Sequence, residues 1–439
     1  MGNENRWVRG EVVAAAGTGI NLGLGVLYAW SVLKGGIPDS WGWSNADKAL
    51  PYSVACFVFS LAMVLAGRLQ DRFGPGMVAM VGGGLVGVGC ILAGMTAPSL
   101  AGFIIGFGVI GGMGIGFGYA ATTPAAIKWF PPSRTGLVTG IVVAGFGLAP
   151  VYIAPLAYWL LGTYQTTNAA GVVEKGVAPT IVAFGMAFLV VVTLLAQLLK
   201  NPPPGHVIAS QAGKPASKGI DMSFREVLAT AQFYVLWFMY FCGAAAGLTF
   251  ISVAQDLGKR TLGELAFLAV VVLAVGNATG RVVAGTVSDK LGRQWTMFAV
   301  FLLQAVVVFA LYLLAQSNAA GEGAGTGPVF IAITLAVVLL LGANYGANLS
   351  LFPSTAKDVW GMKGFGLNYG LLFTAWGAAG LLMPWVNGQI KDATGSQDLT
   401  YFIIIGLMVL AAAMTFVSRA LATRTLAAAK LAAGTAVPG

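Results

Sequence analysis

Arg281 stands inside the apolar run 270–287, eight residues before Asp289. At ~1.5 Å of rise per residue its Cα lies about 12 Å from the end of a helix. A guanidinium at that depth costs at least ~2.5 kcal/mol to insert, so it is expected to face a polar cavity that holds an anion or a partner. Asn277 lies four residues earlier, on the same helical face. Charge-assisted binding of a substrate anion is the chemistry this pair offers. The competing reading is an arginine that snorkels to the interface or pairs with a buried acid.

Aromatic and amide side chains fall inside other apolar segments: Tyr28, Trp30, Tyr119, Asn344, Tyr345, Asn348, Tyr369, Phe373 and Trp376. Ring edges and hydroxyls of this kind can line a small anion pocket while the walls keep water out. Each taken singly reads as packing or as an interface anchor. Tyr28 and Tyr119 stand out because both sit beside glycines, well inside their segments. Asp256 and Glu264 flank a turn at a membrane surface. They read as solvated charges, with Asp256 the candidate for proton coupling because few other acids lie near the membrane. No paired carboxylates, metal-ligand cluster or nucleophile–histidine set falls within the apolar segments, so neither an enzyme nor a cofactor or metal is expected. His206 lies in a polar stretch after Pro204 and has no part in this chemistry.

The elements that must position these groups announce themselves twice. Gly67-Arg68-Leu69-Gln70-Asp71-Arg72-Phe73-Gly74 and Gly285-Thr286-Val287-Ser288-Asp289-Lys290-Leu291-Gly292 say nearly the same thing 218 residues apart (285 − 67) in a chain of 439. Each separates two long apolar runs, so the chain reads as two similar halves, the build of carriers that rock one half against the other. Asp71, Arg72, Asp289 and Lys290 are then expected in short gating loops, where an acid pairs in one conformation and is released in the other.

Twelve apolar runs near spanning length fall at about 9–33, 48–70, 75–95, 98–123, 135–161, 178–199, 230–254, 262–288, 293–317, 327–350, 364–388 and 400–418. The expected fold class is an all-α membrane protein of twelve transmembrane helices in two pseudo-symmetric six-helix halves. A six-helix bundle over 1–199, a linker over 200–229, a second bundle over 230–420 and a tail over 421–439 make up the expected domains. Composition agrees. With 57% hydrophobic and 9% charged residues, the chain carries more apolar surface than a soluble fold can hide. The run after Arg6 and Arg9 is too long for a signal-peptide core and reads as a retained first helix.

The net charge of +9 becomes informative once it is placed. Of 24 Lys and Arg, six (Lys34, Lys48, Lys175, Lys259, Arg260, Lys391) fall on one side of the bilayer, Arg281 lies within a helix, and the other seventeen share the side of the termini and linker. That asymmetry sets both termini and the linker in the cytoplasm and excludes a nucleic-acid patch. The 62 glycines read as helix-packing positions. Cys56, Cys90 and Cys242 have no disulfide or metal spacing and read as small packing residues.

The twin stretches resemble the signature of the major facilitator superfamily. More specifically, the chain resembles the oxalate:formate antiporter family, related to monocarboxylate transporters. The similarity is carried by Gly25-Val26-Leu27-Tyr28-Ala29-Trp30-Ser31, by Lys128-Trp129-Phe130-Pro131 with Arg134-Thr135-Gly136-Leu137, by Ser350-Leu351-Phe352-Pro353-Ser354, and by Asn368-Tyr369-Gly370-Leu371-Leu372-Phe373-Thr374-Ala375-Trp376-Gly377. It spans essentially the whole chain. The resemblance implies that Arg281 is the family's substrate arginine and that Tyr28 and Tyr119 are its pocket tyrosines. Two positions depart from it. Trp376 stands where the oxalate carrier has a lysine, and Asn277 stands where monocarboxylate transporters have an aspartate. One buried cation balances one carboxylate but not two. The expectation is therefore a carrier of small monocarboxylates, lactate- or pyruvate-like, working as a proton symporter by alternating access in the plasma membrane. It is expected to act as a monomer, with the lipid bilayer, H+ and a small carboxylate as its partners. An exchanger of the oxalate:formate type and an anion channel are the alternatives.

Overall fold

The computed structural model describes residues 10–130, 135–168, 170–203, 221–319, 327–361 and 364–432. The middle of the expected linker, the last residues of the expected tail and the Asp71 side chain lie outside the described residues. Among the described residues twelve helices are long and apolar enough to span a membrane: α1 Gly10–Gly36, α2 Asn45–Gln70, α3 Pro75–Met95, α4 Leu100–Ile127, α5 Leu137–Thr163, α6 Val177–Ala196, α7 Ala231–Ser252, α8 Gly263–Leu291, α9 Arg293–Ser317, α10 Pro328–Trp360, α11 Phe365–Thr394 and α12 Asp398–Thr423. Helix is the only open-ended geometry that satisfies every backbone amide in hydrocarbon. Local signals set the ends. Ser44 and Asp47 form a capping box at the start of α2, Thr230 caps α7, and Pro75 and Pro328 occupy first-turn positions of α3 and α10.

The twin stretches form twin turns, tighter than the loops expected. The α2 helix continues to Phe73 and α8 to Leu291. A single glycine then reverses the chain, Gly74 at φ 81° and Gly292 at φ 87°, a conformation in which a Cβ would be strained. The Gly74 amide donates to the Gln70 carbonyl at 2.9 Å and the Gly292 amide to the Ser288 carbonyl at 3.0 Å. Asp71, Arg72, Asp289 and Lys290 therefore ride on the last helical turn instead of in gating loops. Beyond the span, the α12 helix runs on through Ala432.

Helices α1–α6 and α7–α12 form the two halves, which meet along α2 against α11 and along α5 against α8. One end of the bundle carries the twin turns and the segments bordering the linker, and is called the linker face. The other is called the remote face. There the first half is hydrogen-bonded to the second: Asn45 and Ala46 to Asp392, and the Tyr158 hydroxyl to Glu264 at 2.8 Å. Among the described residues, the polar contacts given for the linker face, such as Lys128 to Asn201 and Arg293 to Asp358, lie within one half.

Candidate substrate site between the halves

Glycine repeats bring α8 and α10 together and so decide where Arg281 sits. Gly276 and Gly280 on α8, and Gly342 and Gly346 on α10, each face a backbone carbonyl of the other helix: those of Leu339, Ala343, Leu273 and Asn277. A Cβ at any of the four would overlap that oxygen. Both helices thus carry G-x-x-x-G, the spacing that allows closest backbone approach. Arg281 is the next residue after Gly280, and Tyr345 the one before Gly346.

Arg281 is 9% exposed and Asn277 fully buried. The guanidinium Nε donates to Asn277 Oδ1 at 3.0 Å, and one Nη donates across the interface to the Val143 carbonyl of α5 at 3.2 Å. Gly147, one turn further along α5, lies against the other Nη, where a Cβ would stand at 3.5 Å. The Tyr119 hydroxyl of α4 also faces this guanidinium. Among the described residues no carboxylate forms an ion pair with Arg281, and the Asn277 Nδ2 donor is buried without an acceptor. A five-donor fork with two donors engaged, beside an unsatisfied amide donor, suits a planar anion.

Aromatic side chains from both halves close over this point. The α1 helix tightens into a 3₁₀ segment over Gly25–Ala29, a departure often found at hinges. Its Gly25 abuts the Phe146 carbonyl, leaving no room for a Cβ. From this segment Tyr28 meets Tyr345, hydroxyl to hydroxyl, at 2.6 Å, and the Trp376 indole Nε1 donates to the same Tyr345 oxygen at 2.8 Å. Phe373 stacks on Trp376 with centroids 5.0 Å apart. Tyr369 lies one turn before Phe373 on α11, its hydroxyl 3.4 Å from that of Tyr240.

Residues that sequence reading passed over complete the cage. Phe59 of α2 contacts Tyr119, Phe146, Phe373 and Trp376, and Phe146 of α5 contacts Tyr28 and Tyr119. The glycines flanking Phe146 were the one local signal for it. Trp30 points elsewhere, stacking on Phe107 and donating to the Lys48 carbonyl.

Asp256 is not part of this constellation. It lies on a short helix, Ala254–Leu262, that precedes α8, whose first residue Gly263 is already about 27 Å of helical rise from Arg281. Its carboxylate pairs with Lys259 at 2.9 Å. Burial there works to raise its pKa, but Lys34 and Lys259, joined by Lys391, outweigh burial and hold it below the ordinary carboxylate value. Asp289 pairs with Arg293 at 2.7 Å, and Arg293 also reaches Asp358 at 3.0 Å. Arg72 packs over the Phe73 ring.

A family model described as Major Facilitator Superfamily matches residues 12–384. The chain belongs to the major facilitator superfamily. It is 30% identical to the oxalate:formate antiporter of Oxalobacter formigenes over 410 residues, which is 91% of this chain and 87% of that one. It is 25% identical to human monocarboxylate transporter 11, over 93% of this chain and 82% of the relative. The uncharacterized MFS-type transporter YhjX of Escherichia coli is 27% identical over 81% of each chain. Among solved structures, a bacterial homolog of the human lysosomal transporter Spinster, inward-facing and unoccupied, superposes with a TM-score of 0.71 at 15% identity, over 96% of this chain and 99% of that one. That likeness speaks for the fold. The chain is a multi-pass membrane transporter of the oxalate:formate antiporter and monocarboxylate transporter kind, and its relatives and fold are those of transporters, not of enzymes.

Proposed function

We propose that this superfamily member carries small monocarboxylates of the lactate and pyruvate class by alternating access, with Arg281 holding the carboxylate. The observation that carries the reading is a single buried guanidinium, engaged by a neutral amide and a backbone carbonyl, at the meeting point of the halves. One carboxylate balances that charge, whereas a second would be left uncompensated where the dielectric is low. Tyr28, Tyr119, Tyr345, Tyr369, Phe373 and Trp376 form the walls. The excess of Lys and Arg near the linker face supports a cytoplasmic linker and cytoplasmic termini in the plasma membrane.

Accumulating an anion inside a negative cell opposes ~2.3 kcal/mol per charge per 100 mV, and carrying H+ along removes that term. Proton symport is the primary reading. Exchange is the second, favoured by Asn277. Unlike an aspartate it cannot neutralise Arg281 when the carrier is empty, so an anion on each leg of the cycle would keep the guanidinium balanced. Uptake of labelled lactate into proteoliposomes decides among the readings. The experiment varies the pH gradient, the internal counter-anion and oxalate as competitor. Saturable uptake driven by an inward proton gradient supports symport, and strict dependence on internal anion supports exchange. Non-saturating flux without counterflow would defeat the carrier reading in favour of a channel.

A further inference from the structure

On the remote face, α11 of the second half meets the start of α2 of the first through a carboxylate. Asp392 Oδ1 accepts from the Asn45 amide at 2.9 Å and from Asn45 Nδ2 at 2.7 Å, and Oδ2 accepts from the Ala46 amide at 2.9 Å. Asn45 and Ala46 are the first two residues of α2, and amides there have no acceptor within their own helix. The capping box leaves both of them open, because Ser44 Oγ accepts from Asp47. An ionised carboxylate at this end also complements the helix dipole. One turn earlier on α11, Gly388 sits so close to Ala46 that a Cβ would fall 2.6 Å from the Ala46 Cα. Close approach and hydrogen bonds therefore coincide.

The repeat supplies a counterpart where α5 meets α8, the Tyr158–Glu264 hydrogen bond. That contact is one bond between exposed groups, whereas Asp392 engages both of its oxygens.

We infer that Asp392 is a positioning residue for the transport cycle: it latches the start of α2 to α11 while the remote face is closed, and releases it each time that face opens. Opening by rocking must part these helix ends, since they belong to different halves. On release both partners return to water at the membrane surface, so each bond is worth only its modest net value. That suits a gate, which has to bias the closed state and still break. The inference needs only alternating access and is independent of which anion is carried.

The test is a distance measurement between spin labels on Ser40→Cys of the first half and Leu399→Cys of the second. Both positions are exposed, whereas Cys56, Cys90 and Cys242 are buried. Double electron–electron resonance on the reconstituted full chain reads the ratio of open to closed remote face. Asp392→Ala should raise that ratio roughly tenfold, the shift expected from losing charge-assisted bonds made in one state only. Asn45→Asp, which sets a second carboxylate against the first, should move it the same way and serves if the alanine variant does not fold. Asp39→Asn removes an exposed acid that pairs with Lys48 in its own half and should leave the ratio unchanged. A folded Asp392→Ala or Asn45→Asp protein that keeps the wild-type distances, with only its melting temperature lowered, would reduce Asp392 to structural glue and overturn the inference.

Discussion

Tyr28 and Tyr345, 317 residues apart, touch hydroxyl to hydroxyl at 2.6 Å. One comes from each half of the transporter, and the contact lies beside the guanidinium proposed to hold the substrate. Trp376 Nε1 donates to the Tyr345 oxygen; with the Tyr345 O–H donating in turn to Tyr28, the Tyr28 O–H is left to donate onward. A substrate carboxylate arriving at Arg281 would meet a ready-made hydroxyl donor in this chain of bonds.

The Trp376 position tests charge selectivity. Its indole is fully buried, bonded to Tyr345 and stacked on Phe373, so the second cation that a dicarboxylate requires is absent at this point of α11. The unmutated protein should transport monocarboxylates and leave oxalate behind. Trp376→Lys should weaken monocarboxylate transport by breaking the bond to Tyr345, while oxalate becomes an effective competitor. Competition assays with labelled lactate read both effects. Robust oxalate exchange by the unmutated chain would refute the one-cation argument.

Arg281→Ala removes the guanidinium of the candidate site, the only one there among the described residues. It should cost roughly 2–5 kcal/mol in carboxylate binding, more than about thirtyfold in affinity, while insertion and folding persist. Arg281→Lys should rescue little, because an ammonium reproduces neither the fork nor the simultaneous reach to Asn277 and Val143. Calorimetric titration with lactate is the direct check. Unchanged affinity in the alanine variant would take the arginine out of the site.

Much of this is legible in the amino-acid sequence. Span length and charge reveal twelve helices because lipid permits little else. The repeat of Asp71 with Gly74 and Asp289 with Gly292 exposes two halves because the same turn chemistry is needed twice. Arg281 draws notice because a charge in hydrocarbon demands an explanation. Phe59 and Phe146 did not, because a pocket phenylalanine looks like a lipid-facing one such as Phe309, 46% exposed. The Val143 carbonyl is a backbone atom and carries no residue signature at all. Reading the twin stretches as loops missed that one glycine at positive φ suffices to reverse the chain.

The glycine seam makes a stability prediction. Gly280→Ala places a methyl against the Ala343 carbonyl, and Gly346→Ala does the same against that of Asn277. Overpacking of this kind costs about 1–3 kcal/mol, and relief requires α8 and α10 to part. Since Arg281 and Tyr345 adjoin these glycines, lactate affinity should fall together with thermal stability. Gly285→Ala, further along α8 with open space around it, should leave both unchanged. Thermal melts in detergent with and without lactate separate the cases.

Coupling gives the last prediction. The Asp256 carboxylate lies outside the spanning helices, and despite burial its lysine neighbours hold it below the ordinary value of about 3.9. A group with a depressed folded pKa contributes stability above its unfolded pKa and loses it only as pH falls through the lower folded value. It therefore stays ionised across about pH 5–8 and takes up no proton there. Asp256→Asn should leave the pH dependence of lactate uptake in that window unchanged. Asn277→Asp should do the opposite. Its new carboxylate would stand within hydrogen-bond reach of Arg281 Nε and compete with substrate while ionised. Uptake should then become steeper with acidification, as protonation releases the guanidinium, and less dependent on an internal counter-anion, because the empty carrier is neutral. Initial rates of uptake at about pH 6 and about pH 8, with and without internal lactate, measure both. If Asp256→Asn instead abolished proton-driven accumulation while sparing counterflow, Asp256 would be the relay after all.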